Sequence, residues 1–163
     1  MKKLLKRRST LIATVLAVVA ASCFVGCARK TPDGMPKLYP CSITLTQGNA
    51  PLADATVTLV NDSLEWAISG TTDEKGVAVI YTHGTYAGAP EGDYVVVVQK
   101  QIVEKPTEQQ QSASDIIIGG VAYNCVSEEF GSKNTSPLKL EVKGKTNGSF
   151  DVGEAIREEV KRI

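Results

Sequence analysis

One histidine and four cysteines hold most of the capacity for chemistry in this 163-residue chain. His83 stands alone, so histidine-rich metal sites and most acid/base machinery lack their residues. It reads as a loop residue on the surface. No Gly-x-Ser-x-Gly elbow occurs, and no serine has a possible base other than His83. Asp62, Glu65, Asp73, Glu74 and Asp93 lie near turn residues, but their spacing matches no calcium loop. They read as solvated turns. The expectation is a chain with no catalytic residue, no metal and no cofactor.

The N-terminus carries a different chemistry. Residues 1–8 are basic, an apolar run follows from Leu11 to Val25, and Gly26-Cys27 ends it. About fifteen apolar residues fall short of the roughly 20 that a spanning helix needs, and Pro- and Gly-containing sequence comes next. The block over 1–26 therefore reads as a signal peptide in preference to a retained anchor. Phe24-Val-Gly-Cys27 resembles a bacterial lipobox, in which a small residue precedes a cysteine that is diacylated on sulfur and becomes the new N-terminus. Ala20-Ala-Ser-Cys23 is a rival match, and ordinary secretion with a free cysteine is the plainer alternative. Gly26, and the end of the apolar run at the cut, favour Cys27; Phe24 departs from the usual Leu. Acyl chains on Cys27 would hold the protein to a membrane, since each buried CH₂ contributes about 0.8 kcal/mol. Ala28, in place of Asp, implies the outer membrane or cell surface within that resemblance.

Charge follows the same division. The chain has 18 bases and 18 acids, and five of the bases precede residue 9. From Cys27 onward 13 bases face 18 acids, a formal charge of −5. A mildly acidic domain has no electrostatic reason to bind nucleic acid.

Residues 27–40, with Pro32, Gly34, Pro36 and Pro40, are too broken for helix and too poor in apolar residues for a core, so they read as a tether. Beyond them short β-branched runs of period two alternate with Gly, Asn and Asp, which is an all-β texture. Strands are expected at 41–47, 55–60, 66–69, 77–81, 93–101, 138–142 and 149–152. Trp66 and Ile68 share an inward face, and the valines from Val95 to Val98 suit a central strand buried on both sides. Seven short strands must pair into a sandwich to bury their faces. The tail, 154–163, has Ile156, Val160 and Ile163 at helical spacing with acids early and bases late, so a short docked helix is expected there.

Three stretches carry a resemblance. Pro51-Leu-Ala-Asp-Ala-Thr-Val-Thr-Leu59, Gly70-Thr-Thr-Asp-Glu-Lys-Gly76 and Pro90-Glu-Gly-Asp-Tyr-Val-Val96 resemble the Pro-Leu-x-x-Ala-x-Val, Thr-x-x-x-Gly and Gly-x-Tyr layout of carboxypeptidase regulatory-like domains. The likeness covers residues 42–100, and the ending over 135–152 is similar to that of small bacterial lipoproteins carrying this domain alone. It implies a prealbumin-like, seven-stranded Greek-key β-sandwich over 41–153 that serves as a binding or accessory module. A hydrolase related to transthyretin is disfavoured, because it would need several histidines.

Cys41 and Cys125 remain after processing, in an oxidising compartment where an even pair suggests a disulfide. A bridge, two buried free thiols and a reactive thiol stay open as readings. The 102–135 segment is long for a compact sandwich; its apolar half, around Gly119-Gly120, suits a hairpin or flap. The flap either covers a sheet edge or, with Tyr123, Glu128 and Phe130, forms a ligand or partner surface. A Lys37–Asn147 isopeptide bond is a remote third possibility. The function expected is that of a non-enzymatic, lipid-anchored cell-envelope protein, its partners the membrane and an envelope protein. The alternative is a periplasmic carbohydrate-binding accessory protein, which an exposed Trp66 beside Tyr81 or Tyr86 would favour.

Overall fold

A computed structural model describes residues 32–104 and 121–160, and within them the chain is all β apart from a 3-10 turn at Glu128–Gly131. The first strands are β1 (Leu38–Tyr39), β2 (Cys41–Gln47), β3 (Ala50–Pro51), β4 (Thr56–Val60), β5 (Ile68–Thr71) and β6 (Val77–Val79). Next come β7 (Tyr81–Thr82), β8 (Tyr86–Ala87), β9 (Ala89–Pro90), β10 (Gly92–Gln99) and β11 (Gln101–Glu104). The last are β12 (Val121–Asn124), β13 (Lys139–Val142), β14 (Thr146–Asp151) and β15 (Glu158–Glu159). No helix among the described residues is long and apolar enough to cross a membrane.

Period-two alternation in β2 buries Cys41, Ile43 and Leu45 and turns Ser42, Thr44 and Thr46 outward. That strand lies between β14, which runs parallel to it, and the antiparallel β3 and β6. A second sheet has the order β13-β10-β4-β5-β7-β8. Its strand β10, between β13 and β4, turns Tyr94, Val96 and Val98 inward, against Val57, Leu59 and Ile68 of the same sheet and Ile43 and Leu45 from the other sheet. Val97, on the opposite face, is also buried, so the valine run is covered on both sides. Each valine or isoleucine so enclosed contributes roughly 1.5–3 kcal/mol through the water it sheds.

The chain passes between these sheets at Ile80. Val79 belongs to β6, paired with β2, whereas Tyr81 begins β7, paired with β5. The single strand expected over 77–81 is thus two. Likewise the strand expected from Trp66 starts only at Ile68, and Trp66 sits half-buried in the approach to it.

The tail is a correction. Of the helix expected over 154–163, residues 154–160 are described, and they are not helical; Glu158 and Glu159 pair antiparallel with Asn124 and Tyr123, and Val160 N–H donates to the Ala122 carbonyl at 2.8 Å. An eleven-residue helix is marginal in isolation, while β12 offers a row of backbone partners already aligned. The resulting small sheet, β11-β12-β15, adjoins the second one through the direct succession of β10 and β11.

The tether, too, is shorter than expected. Leu38 and Tyr39 form β1 against Pro90 and Ala89. A Cβ at Gly88 would stand 2.4 Å from the Tyr39 carbonyl oxygen, and Gly88 has φ +109°. Only glycine admits this approach.

Candidate functional site

The residues singled out from the sequence scatter over the molecule. Cys23 and Cys27 lie outside the described residues, as do the signal peptide and residues 116–120 of the flap, so the lipidation reading meets no structural observation; the rest of the flap's apolar half is β12, paired antiparallel with β11.

Cys41 and Cys125 are free thiols, which corrects the expected bridge. The Cys125 carbonyl accepts a 2.8 Å hydrogen bond from Gln47 Nε2, at the far end of β2 from Cys41. Six strand residues span roughly 20 Å, of which the Gln47 side chain and its hydrogen bond recover about half. The two Cα atoms stay beyond the roughly 7 Å limit for a disulfide. Burial pushes the Cys41 thiol up to about 11, which keeps it protonated and makes it a core side chain in place of a nucleophile or metal ligand. Among the described residues no group of histidine, cysteine or acid side chains could hold a metal ion.

Tyr123, Glu128 and Phe130 do not make one surface. Phe130 is 7% exposed and belongs to the core, a second correction: a 3-10 turn with Glu128 and Glu129 exposed leaves its one aromatic to be buried. Tyr123, on β12, is covered by the Arg157 guanidinium at 4.3 Å from the ring centroid, and Arg157 pairs with Glu104 at 2.5 Å. Hydrogen bonding to Tyr123 and the Glu104 charge raise the Arg157 pKa. Arg157 was not singled out from the sequence, where it stands in the early half of the expected helix, next to Glu158.

His83 has φ +52°, and its N–H donates to the Ala67 carbonyl at 2.7 Å. Its ring meets Trp66 edge to face, with centroids 5.0 Å apart at 84°. Trp66 is half-buried, packed against the core and with the imidazole ring perpendicular to its own. Lys37 lies over the Tyr39 ring, and the Asn147 carbonyl oxygen accepts from the Ser42 hydroxyl at 2.7 Å; each side chain of the supposed isopeptide pair has another partner. Asp73 accepts from Lys75 and Val77 N–H, as a turn residue does, and Asp62 pairs with Lys133.

Concave places among the described residues include a cleft and a groove. A cleft of about 170 Å³ at the tether end has Pro40, Val79 and Ala87 as apolar walls, with Ser42, Asn147 and Lys145 as its polar groups. An open groove of about 470 Å³ runs along β10 and β13, past Asp93, Tyr94, Val95, Lys139, Leu140 and Glu141. The first is smaller than ordinary ligand pockets. The second lies over the ladder in which β10 pairs with β13, next to the margin of the larger sheet. No family model, no curated protein and no solved structure matches the chain.

Proposed function

We propose that this chain is a lipid-anchored cell-envelope protein, acylated on Cys27, whose prealbumin-like Greek-key sandwich of the carboxypeptidase regulatory-like kind serves binding or structural roles at a membrane surface. One observation carries the module half of the reading: the motif side chains are consumed by folding. Leu52, Ala55 and Val57, from the Pro-Leu-x-x-Ala-x-Val stretch, are all buried. At Gly76, φ is +74° and a Cβ would lie 2.4 Å from the Leu45 carbonyl oxygen. Tyr94 is in the core with its hydroxyl donating to the Pro90 carbonyl, an arrangement like the tyrosine corner of other sandwiches. None of these residues is left over for a reaction. The Greek-key reading is supported by strand order: β13-β10-β4-β5 in one sheet, β14-β2-β6 in the other, with crossings at Ile80 and after β13.

The anchor half rests on the basic block, the apolar run and Gly26-Cys27. Intact mass of the protein taken from its own membranes tests it. A chain beginning at Cys27 and carrying acyl chains is expected, with Cys27→Ser left uncleaved and unacylated. An unlipidated mass, or acylation persisting in Cys27→Ser, overturns the assignment.

A further inference from the structure

The outer strand β13 of the larger sheet pairs with β10 alone; among the described residues no strand takes its other edge. The direction of its backbone groups follows from one bond. Val96 N–H donates to the Leu138 carbonyl at 2.9 Å, so residues 138, 140 and 142 point their N–H and C=O groups toward β10, and Lys139 and Glu141 point theirs outward. An unpaired row of this kind is a template for another strand. Beside it the sandwich is incompletely closed: Leu138, Leu140 and Phe150 pack on the core but stay only half-buried.

We propose that this edge is the interface for a second copy of the chain, with the two β13 strands antiparallel about a two-fold axis at Leu140. In that register Lys139 of each copy lies directly across from Glu141 of the other. Both are hydrogen-bonded positions, so the outward amides and carbonyls of Lys139 and Glu141 exchange two reciprocal pairs. Leu140 meets its symmetry mate on the inner face, where opposed Cβ atoms come within about 4.5–5.5 Å. Shifting the register by two residues places Lys139 opposite Lys139, or Glu141 opposite Glu141, and like charges directly opposed are destabilising. Pro137, lacking an N–H, ends the ladder on one side. Glu141 also holds Lys143 of its own chain at 2.6 Å; a foreign strand has no reason to match this alternation of base and acid, so the same charges that guard the edge admit this chain's own copy.

The test is sedimentation velocity of the mature protein in detergent across a wide concentration range. Wild type is expected to pass from monomer to dimer. Lys139→Glu and Glu141→Lys each set like charges across the axis and are expected to raise the dissociation constant about tenfold or more. The double variant restores opposite pairs and is expected to return within about threefold of wild type. Both side chains are exposed, and unchanged circular dichroism excludes misfolding as the cause. A wild type that stays monomeric, single reversals without effect, a double variant no better than the singles, or a different chain occupying the edge each overturns the proposal.

Discussion

The Tyr94 hydroxyl donates a 2.8 Å hydrogen bond to the Pro90 carbonyl from a side chain that is 2% exposed. The bond joins the start of β10 to β9, the strand that receives β1. Tyr94→Phe keeps the ring and leaves the Pro90 acceptor with no phenol. A buried acceptor deprived of its donor costs about 1–3 kcal/mol. Denaturant unfolding should show that loss as a lower midpoint with an unchanged slope; no change in midpoint would mean that water replaces the phenol.

The same region makes the protein sensitive to alkali. Burial raises the Cys41 thiol to about 11 from 9.0; burial, and then the Cys41 charge, raise the Tyr94 phenol to about 12 from 10.0. Both groups hold their protons more tightly when folded, so the unfolded chain binds fewer protons above pH 9. Their contribution is complete below pH 9, declines from 9 to 11 as Cys41 would ionise on unfolding, and declines further as Tyr94 does. Thermal midpoints across pH 8–12 should fall over that window, and Cys41→Ala should flatten the part between 9 and 11.

Thiol chemistry separates the two cysteines. Cys125 is half-exposed and Cys41 is 4% exposed, and the thiolate is the reacting form. A thiol reagent under native conditions should modify Cys125 first and Cys41 only at the rate of unfolding. Reduction should leave the intact mass unchanged. A gain of two hydrogens on reduction, or equal labelling rates, would contradict the separation along β2.

What could be read from the sequence follows the length of each element. β2 was legible to the residue because seven alternating positions carry its pattern, and β10 because four valines in a row leave a helix no favoured face. A two-residue strand carries no period, so β1, β9 and β15 leave no such trace. Glu158 and Glu159 are extended because β12 has an open edge, a fact about another part of the chain. Phe130 misled for a similar reason: preceded by two acids, it has the look of a surface aromatic, and only the 3-10 turn against β10 shows that the aromatic faces inward. The disulfide expected between Cys41 and Cys125 failed on distance along a strand, which composition does not record.

Gly76 is a point where the motif and the backbone agree. It closes the turn after Asp73 at φ +74°, with Leu45 oxygen 2.4 Å from any Cβ. Gly76→Ala would add both a disfavoured conformation and a backbone collision between β2 and the turn. Roughly 2–4 kcal/mol of destabilisation is expected. Chemical denaturation checks it, and a loss below about 1 kcal/mol would show that the turn relaxes freely.

Gly88 governs where the N-terminal segment joins the domain. With β1 docked on β9, the chain between Cys27 and the sandwich ends at Lys37; with β1 released it reaches Pro40. In Gly88→Ala a methyl would be driven into the Tyr39 carbonyl at a φ of +109°, and the strand pair Leu38–Pro90 and Tyr39–Ala89 is the part that can yield. The three atoms nearest that methyl all belong to Tyr39 of β1, and the closest is its carbonyl oxygen. Hydrogen exchange should therefore quicken at Leu38 and Tyr39 while β10 stays protected, and limited proteolysis should cut the tether several residues closer to the domain. Equal loss of protection in β10 would instead make β1 part of the cooperative core, and the tether's length would then be a fixed property of the fold.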